Sequence, residues 1–326
     1  MLHKQGAIGR VLMILCPLLL ATVDARGQSY PSRSVTIVVP FAAGGPADVV
    51  ARLVAQKLQE TSKQAFVIDN RSGAGGVVGT QAVSKAAPDG YTLLFVTAGH
   101  SGMSAYFSNL QFDPDRDFAS VIHLISSPIV VVVNADSKYQ TIQDLIADAR
   151  ANPGALNYGA GGGGPTIPNL TAESFRAEAK IDARNIPYRG SAPAMLGLLG
   201  GETQFSFDAM PAVKEFVDSK KMRALAVTSE KRSTILPDVP TMNEGVLPGF
   251  VSGVWYGIFV PKGTPPDVVN WLNRELNVAL KEPTIVQKLA AISAEPVGGT
   301  PEAFEKLVDS ETKRWGALIK RLGLKP

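Results

Sequence analysis

Cysteine occurs once in the 326-residue chain, at Cys16, and histidine only three times. Cys16 lies in an apolar run, 11–20, preceded by Lys4 and Arg10 and followed by Val23-Asp24-Ala25, a small-x-small pattern. That layout is a secretory signal peptide over residues 1–25, cleaved after Ala25. The run is short for a membrane anchor, which needs about 20 apolar residues, and no later run is long enough to cross a bilayer. Leu15 precedes Cys16, where a lipid-attachment signal wants a small residue. The mature chain therefore has no cysteine. Disulfides, thiolate nucleophiles and cysteine-ligated metals are excluded together, as suits an exported chain in a periplasm. Excess charge is also lacking: 32 basic against 29 acidic residues leave a net charge of +3. No basic run carries interleaved aromatics, which argues against nucleic acid. There is no H-E-x-x-H, no Walker sequence and no clustered metal-ligand spacing, so neither metal nor cofactor is expected.

What is present is an α/β alternation. Residues 35–39 are all β-prone, and Pro40 and a small-residue turn follow. Pro46 then stands where a helix begins, with apolar residues at 49, 50, 53, 54 and 58, a helical spacing. Such a strand–turn–helix unit aims free N–H groups and the positive end of a macrodipole at one point, a ready anion site. Further strands are expected at 65–69, 92–97, 121–125, 129–134, 156–160, 183–186, 203–207, 224–228 and 257–260. Helices are expected at 47–61, 77–86, 142–151, 168–179, 192–199 and 212–219, then 266–281, 284–291 and 301–321. Thr141 with Asp144 reads as a capped helix start. The alternation predicts mostly parallel sheets flanked by helices. The runs 121–134 and 251–261 read as crossovers between two lobes. Lobe 1 is then 30–126 plus 253–326 and lobe 2 is 127–252, with a ligand in the cleft between them.

Four loops follow strands and precede helices, where ligands collect in open α/β sheets. The first, 41–48, offers Phe41, Ala43, Gly44, Gly45, Ala47 and Asp48; Asp48 either touches the ligand or only helps the helix start. The second, 159–166, contains Ala160, Gly161, Gly162, Gly164 and Thr166. It matches G-x-G-x-x-G, but Pro165 and Pro168 intervene where a dinucleotide site needs a helix, so a nest of amides for a small anion is the alternative. The third, 187–193, supplies Tyr188, Gly190 and Ser191; Ser191 either caps its helix or reaches a ligand, and Tyr188 either bonds or packs. The fourth, 97–104, supplies Thr97 and His100. Asp208 ends a strand near the same cleft and would accept from a ligand amine or hydroxyl, or order a water. The run 99–103 resembles a nucleophile elbow, but Met103 stands where glycine is wanted. A hydrolase would need His100 as base with Ser104 or Ser191 as nucleophile; no catalytic function is expected.

A set of ordered motifs carries a family resemblance: PFAAGG at 40–45, DNRSGAGG at 69–76, APDGYTLL at 87–94, NY at 157–158, PYRGSAPA at 187–194, RALAVTS at 223–229, LPDVPT at 236–241 and EPVGGTP at 295–301. Across nearly all of the mature chain this resembles the Bug family, periplasmic solute receptors of tripartite tricarboxylate transporters. The resemblance implies a two-lobed periplasmic-binding-protein fold closing on a carboxylated ligand. It implies that the turn 41–45 with Ala47 and Asp48, the loop 160–166, Tyr188, Gly190, Ser191 and Asp208 line the cleft. Departures are Thr166 as the first hydroxyl of the second loop, Ala209 after Asp208 where asparagine is common, and Ala43 at a frequent proline. They suggest a roomier second-lobe wall that takes an acid larger than a short dicarboxylate. The expected protein is a periplasmic monomer without cofactor that passes an organic acid to a membrane permease or, alternatively, presents it to a sensor kinase.

Overall fold

The computed structural model describes residues 30–41, 43–44, 46–160, 166–188 and 190–324; the expected signal peptide lies outside the described residues. The chain opens with β1 (Val35–Val39), α1 (Pro46–Ser62), β2 (Phe66–Asn70), α2 (Val77–Ser84), β3 (Thr92–Thr97) and α3 (Met103–Tyr106). A long strand, β4 (Phe118–Asn134), leads into α4 (Ile142–Ala151), β5 (Leu156–Ala160), α5 (Ile167–Ala179), β6 (Ala183–Asn185) and α6 (Ser191–Leu199). Next come β7 (Phe205–Ala209), α7 (Met210–Asp218), β8 (Met222–Val227) and α8 (Met242–Gly245). Finally β9 (Gly253–Pro261) runs back along β4, followed by α9 (Pro266–Ala279), α10 (Pro283–Ala291), β10 (Glu295–Pro296) and α11 (Pro301–Leu322).

The strands form a sheet in the order β2-β1-β3-β9-β4-β7-β5-β6, with β8 and β10 also paired to β4. Strands linked by helical crossovers, β2-β1-β3 and β7-β5-β6, run parallel, as such crossovers require. The two central strands β4 and β9 run antiparallel to their neighbours. The sequence suggests two strands broken at Ser126-Ser127-Pro128; the structure has one continuous β4. Pro128 pairs with Gly253 at the last rung shared with β9, and Ile129 begins the pairing with β7. The missing N–H thus falls where one partner strand hands over to another, the least costly place for it.

Beyond that point β4 alternates strictly. Ile129, Val131 and Val133 face one core, and Val130 and Val132 face the other. Each such buried side chain contributes roughly 1.5–3 kcal/mol of transfer free energy, which fixes the register because a one-residue slip would swap the faces. Helices cover both faces throughout. α1, α9 and α10 pack on one side of the first half, and α2 and α11 on the other. α4 and α5 oppose α6 and α7 in the second half. The stripe on α11 buries Phe304, Trp315, Leu318 and Ile319, as its spacing suggests.

Candidate ligand site

The middle of β4, the end of β7 and the start of β9 border a cavity of about 370 Å³. Ile125, Val254, Tyr256, Ile292 and Ala294 form one wall; Pro168, Ser191, Asp208, Ala209 and Ala212 form the other. The second wall is built from the first turns of three helices: Pro168 in α5, Ser191 in α6 and Pro211 in α7. Among the described residues, the N-cap residues of the three make no side-chain cap bond to their own helix, whereas Thr141 and Thr241 form complete capping boxes on α4 and α8. Three positive helix ends thus meet at one cavity, and their first-turn amides are the natural partners of an anion.

Asp208 sits at the end of β7, 1% exposed. Its Oδ1 accepts from Ser191 Oγ at 2.9 Å and from the Ala209 amide at 2.8 Å. Its Oδ2 is buried with no partner. Burial pushes the carboxyl up to about 6, with the two hydrogen bonds pulling the other way. Ser191 is thus the first residue of α6, with Gly190 as the N-cap at φ 147°, a conformation that favours glycine. Its hydroxyl donates to Asp208 rather than capping its own helix.

The first loop is tied to its own helix. Asp48, 3% exposed, accepts from the Gly44 amide and from Arg52 Nε, both at 2.9 Å, and from Asn70 Nδ2 at 3.0 Å. Burial alone would raise its carboxyl; the bonds from Arg52, Gly44 and Asn70 outweigh it and hold the group below the usual range. Asn70 also donates to the Phe41 carbonyl. Asp48 therefore organises the turn. Ala47, in the first turn of α1, is buried in the core, while Ala43 and Gly44 are exposed.

Phe41, Thr97 and His100 line a separate slot of about 10 Å³, too small for a carboxylate. Thr97 nevertheless lies directly across from Tyr256 in the β3–β9 ladder, so slot and cavity flank the same pair of strands. His100 is turned into the core, its Nε2 2.8 Å from the Pro114 carbonyl oxygen and its ring edge-on to Phe118 and Phe259. With His100 so engaged and Ser191 on Asp208, the two do not form a nucleophile–base pair. Tyr188 donates to Glu202 Oε2 at 2.9 Å and is not part of the cavity wall. Ala160 is buried at the end of β5, and Thr166 is the N-cap residue of α5, without a side-chain cap bond to the helix. Gly45, Gly161, Gly162 and Gly164 lie outside the described residues.

The structure thus brings Ser191 and Asp208 to the cavity directly and groups Phe41, Thr97 and His100 beside it. The sequence reading missed the apolar wall. Ile125, Tyr256 and Ile292 carry the same pattern as core positions, so nothing in the sequence separates them. Pro168 and Pro211 carry a signal: each sits in a helical first turn, where a missing N–H costs nothing.

This architecture is that of a periplasmic binding protein. A structure of Rpa4515 from R. palustris with adipate superposes with a TM-score of 0.78 at 34% identity, covering 91% of this chain and 100% of that one. MatC from Rhodopseudomonas palustris with bound malate gives 0.74 at 31%, covering 89% and 100%. Protein BugT of Bordetella pertussis (strain Tohama I) is 38% identical over 301 residues, 91% of this chain and 92% of its own. Residues 50–324 match the tripartite tricarboxylate transporter family receptor, TctC. The chain belongs to this family of solute-binding receptors.

Proposed function

We propose that the protein is a periplasmic receptor that captures a small organic carboxylate between 30–126 with 253–326 on one side and 127–252 on the other. It then delivers the acid to the membrane permease of a tripartite tricarboxylate-type transporter. The carrying observation is the convergence of three helix N-termini on one cavity, which suits an anion. Ligand bridging the two walls would stabilise a closed state through contacts the open state lacks. Relatives in the same fold hold adipate and malate, which supports a carboxylate here. Residues 1–25 act as the export signal. Gly44, Gly45, Gly161, Gly162, Gly164, Gly190 and Ser191 supply amides or hydroxyls at the rim, and Asp208 offers its unpartnered oxygen to a donor on the ligand.

Small side chains at Ala209, Ala212 and Ala294 leave room for an acid longer than succinate. Calorimetry with succinate, adipate and benzoate tests this. At least one of the two larger acids should bind tightly and raise Tm. Ala212→Glu, at a half-buried position, should weaken that binding at least about tenfold by setting a carboxylate against the anion. Unchanged affinity in this variant would move the ligand out of the cavity, and silence toward every acid would end the carboxylate reading.

A further inference from the structure

A second cavity, of about 420 Å³, adjoins the first at the two crossing strands and shares Ser127 and Val254 with it. In the β4–β9 ladder Ile125 pairs with Tyr256 and Ser126 with Trp255. Ile125 and Tyr256 line the cleft; Ser126 and Trp255 line the rear cavity. Its size falls within the roughly 300–1,000 Å³ typical of small-molecule pockets. Its walls come from the 229–232 loop, from α11 and from the crossing strands themselves, so an occupant would touch both halves of the molecule.

The chemistry of the wall is uneven in a telling way. Arg232 is held by Glu244 at 3.0 Å, and Glu311 faces Arg314 and accepts from Trp315 Nε1. Lys231 and Glu230 are exposed, and neither has an ion pair among the described residues. Glu295 meets only hydroxyls, Ser233 at 3.0 Å and Thr234 at 3.3 Å. Trp255 is 3% exposed, and its indole N–H is buried without an acceptor, which costs free energy until something accepts from it. Val254 and Leu307 add an apolar stretch. His123, whose ring stacks on Phe304, is pushed down to about 4 by burial and is neutral.

A simple anion placed here would meet three carboxylates. A simple cation would leave the indole N–H and the Lys231 ammonium unanswered. A molecule bearing both charges and an apolar body satisfies all of them. We infer that the rear cavity binds a free α-amino acid with an apolar side chain. Its carboxylate lies toward Lys231 and the Trp255 N–H, its ammonium toward Glu295 and Glu230, and its side chain against Val254 and Leu307.

Calorimetry of the dialysed mature receptor with leucine tests this, against isocaproate, which lacks the amine, and isoamylamine, which lacks the carboxylate. Leucine should bind at least about tenfold more tightly than either analogue, each having lost a charge-assisted contact. Lys231→Ala, at an exposed position with no ion pair among the described residues, should weaken leucine binding about tenfold. Glu295→Gln should do the same, and both variants should leave cleft binding of the organic acid as it is. Ala212→Glu, in the cleft, should leave leucine binding unaffected. The inference falls if leucine gives no heat, if either analogue matches it, or if Lys231→Ala has no effect. It falls equally if Ala212→Glu abolishes leucine binding, because the amino acid then sits in the cleft.

Discussion

Asp208 and Asp48 are both buried aspartates beside strand ends, and their surroundings drive them in opposite directions. Asp48 has Arg52 and two further donors on its carboxylate. Asp208 has two donors on one oxygen and none on the other, so desolvation dominates and its carboxyl rises to about 6. A carboxyl raised in the folded state holds its proton more tightly there than in the unfolded chain. Its burial cost is then absent in acid, grows as pH climbs from the ordinary value of 3.8 to about 6, and stays above that. Asp208→Asn keeps an acceptor for Ser191 and Ala209. It should therefore raise stability to urea at pH 7.5 by roughly 1–2 kcal/mol, after the cost of an unpaired amide N–H, with the gain shrinking toward pH 4. A stability difference that does not change with pH would contradict this. The glycines, Ser191 and Asp208 stood out in the sequence because turn glycines and polar residues at strand ends are rare in cores. Nothing there revealed that Asp48 would be satisfied internally, because Arg52 and Asn70 reach it only once α1 and β2 are folded together.

Among the elements, β9 and α11 meet closely at Gly257. A Cβ on Gly257 would stand 2.2 Å from Phe304 Cζ and 2.7 Å from the Ile122 carbonyl oxygen. Phe304 also packs edge-on against Trp255 and beside Phe259, so it has no room to withdraw. Gly257→Ala should cost about 2–3 kcal/mol of stability, read as a fall in the urea midpoint at unchanged slope. A loss below about 0.5 kcal/mol would mean that α11 is not braced on β9 as described. Helix and strand periods were legible in the sequence because apolar spacing sets them: β3, α4 and β5 have the expected bounds, and most other elements differ by one to three residues. β10, α3 and α8 span two, four and four residues, too few to show a period. The join in β4 was hidden because a proline normally marks a break, and only its pairing with Gly253 makes it tolerable.

For the molecule as a whole, the two crossing strands carry the argument. They lie between a front cavity, where three helix ends converge, and a rear cavity that shares Ser127 and Val254 with it and carries charges of both signs without ion pairs among the described residues. Sequence motifs spread from 40 to 301 pointed to the family, and the matched region 50–324 agrees. The walls of both cavities stayed hidden because residues far apart in sequence, such as Ile125, Ser191 and Ile292, come together only when the halves fold against each other. A crystal structure of the receptor with whichever acid gives the largest rise in Tm tests the central claim most directly. The account predicts the acid's carboxylate within hydrogen-bond distance of first-turn amides of α5, α6 or α7, with its body against Ile125 and Tyr256. A carboxylate bound in the rear cavity or on the outer surface, with those helix ends untouched, would contradict it.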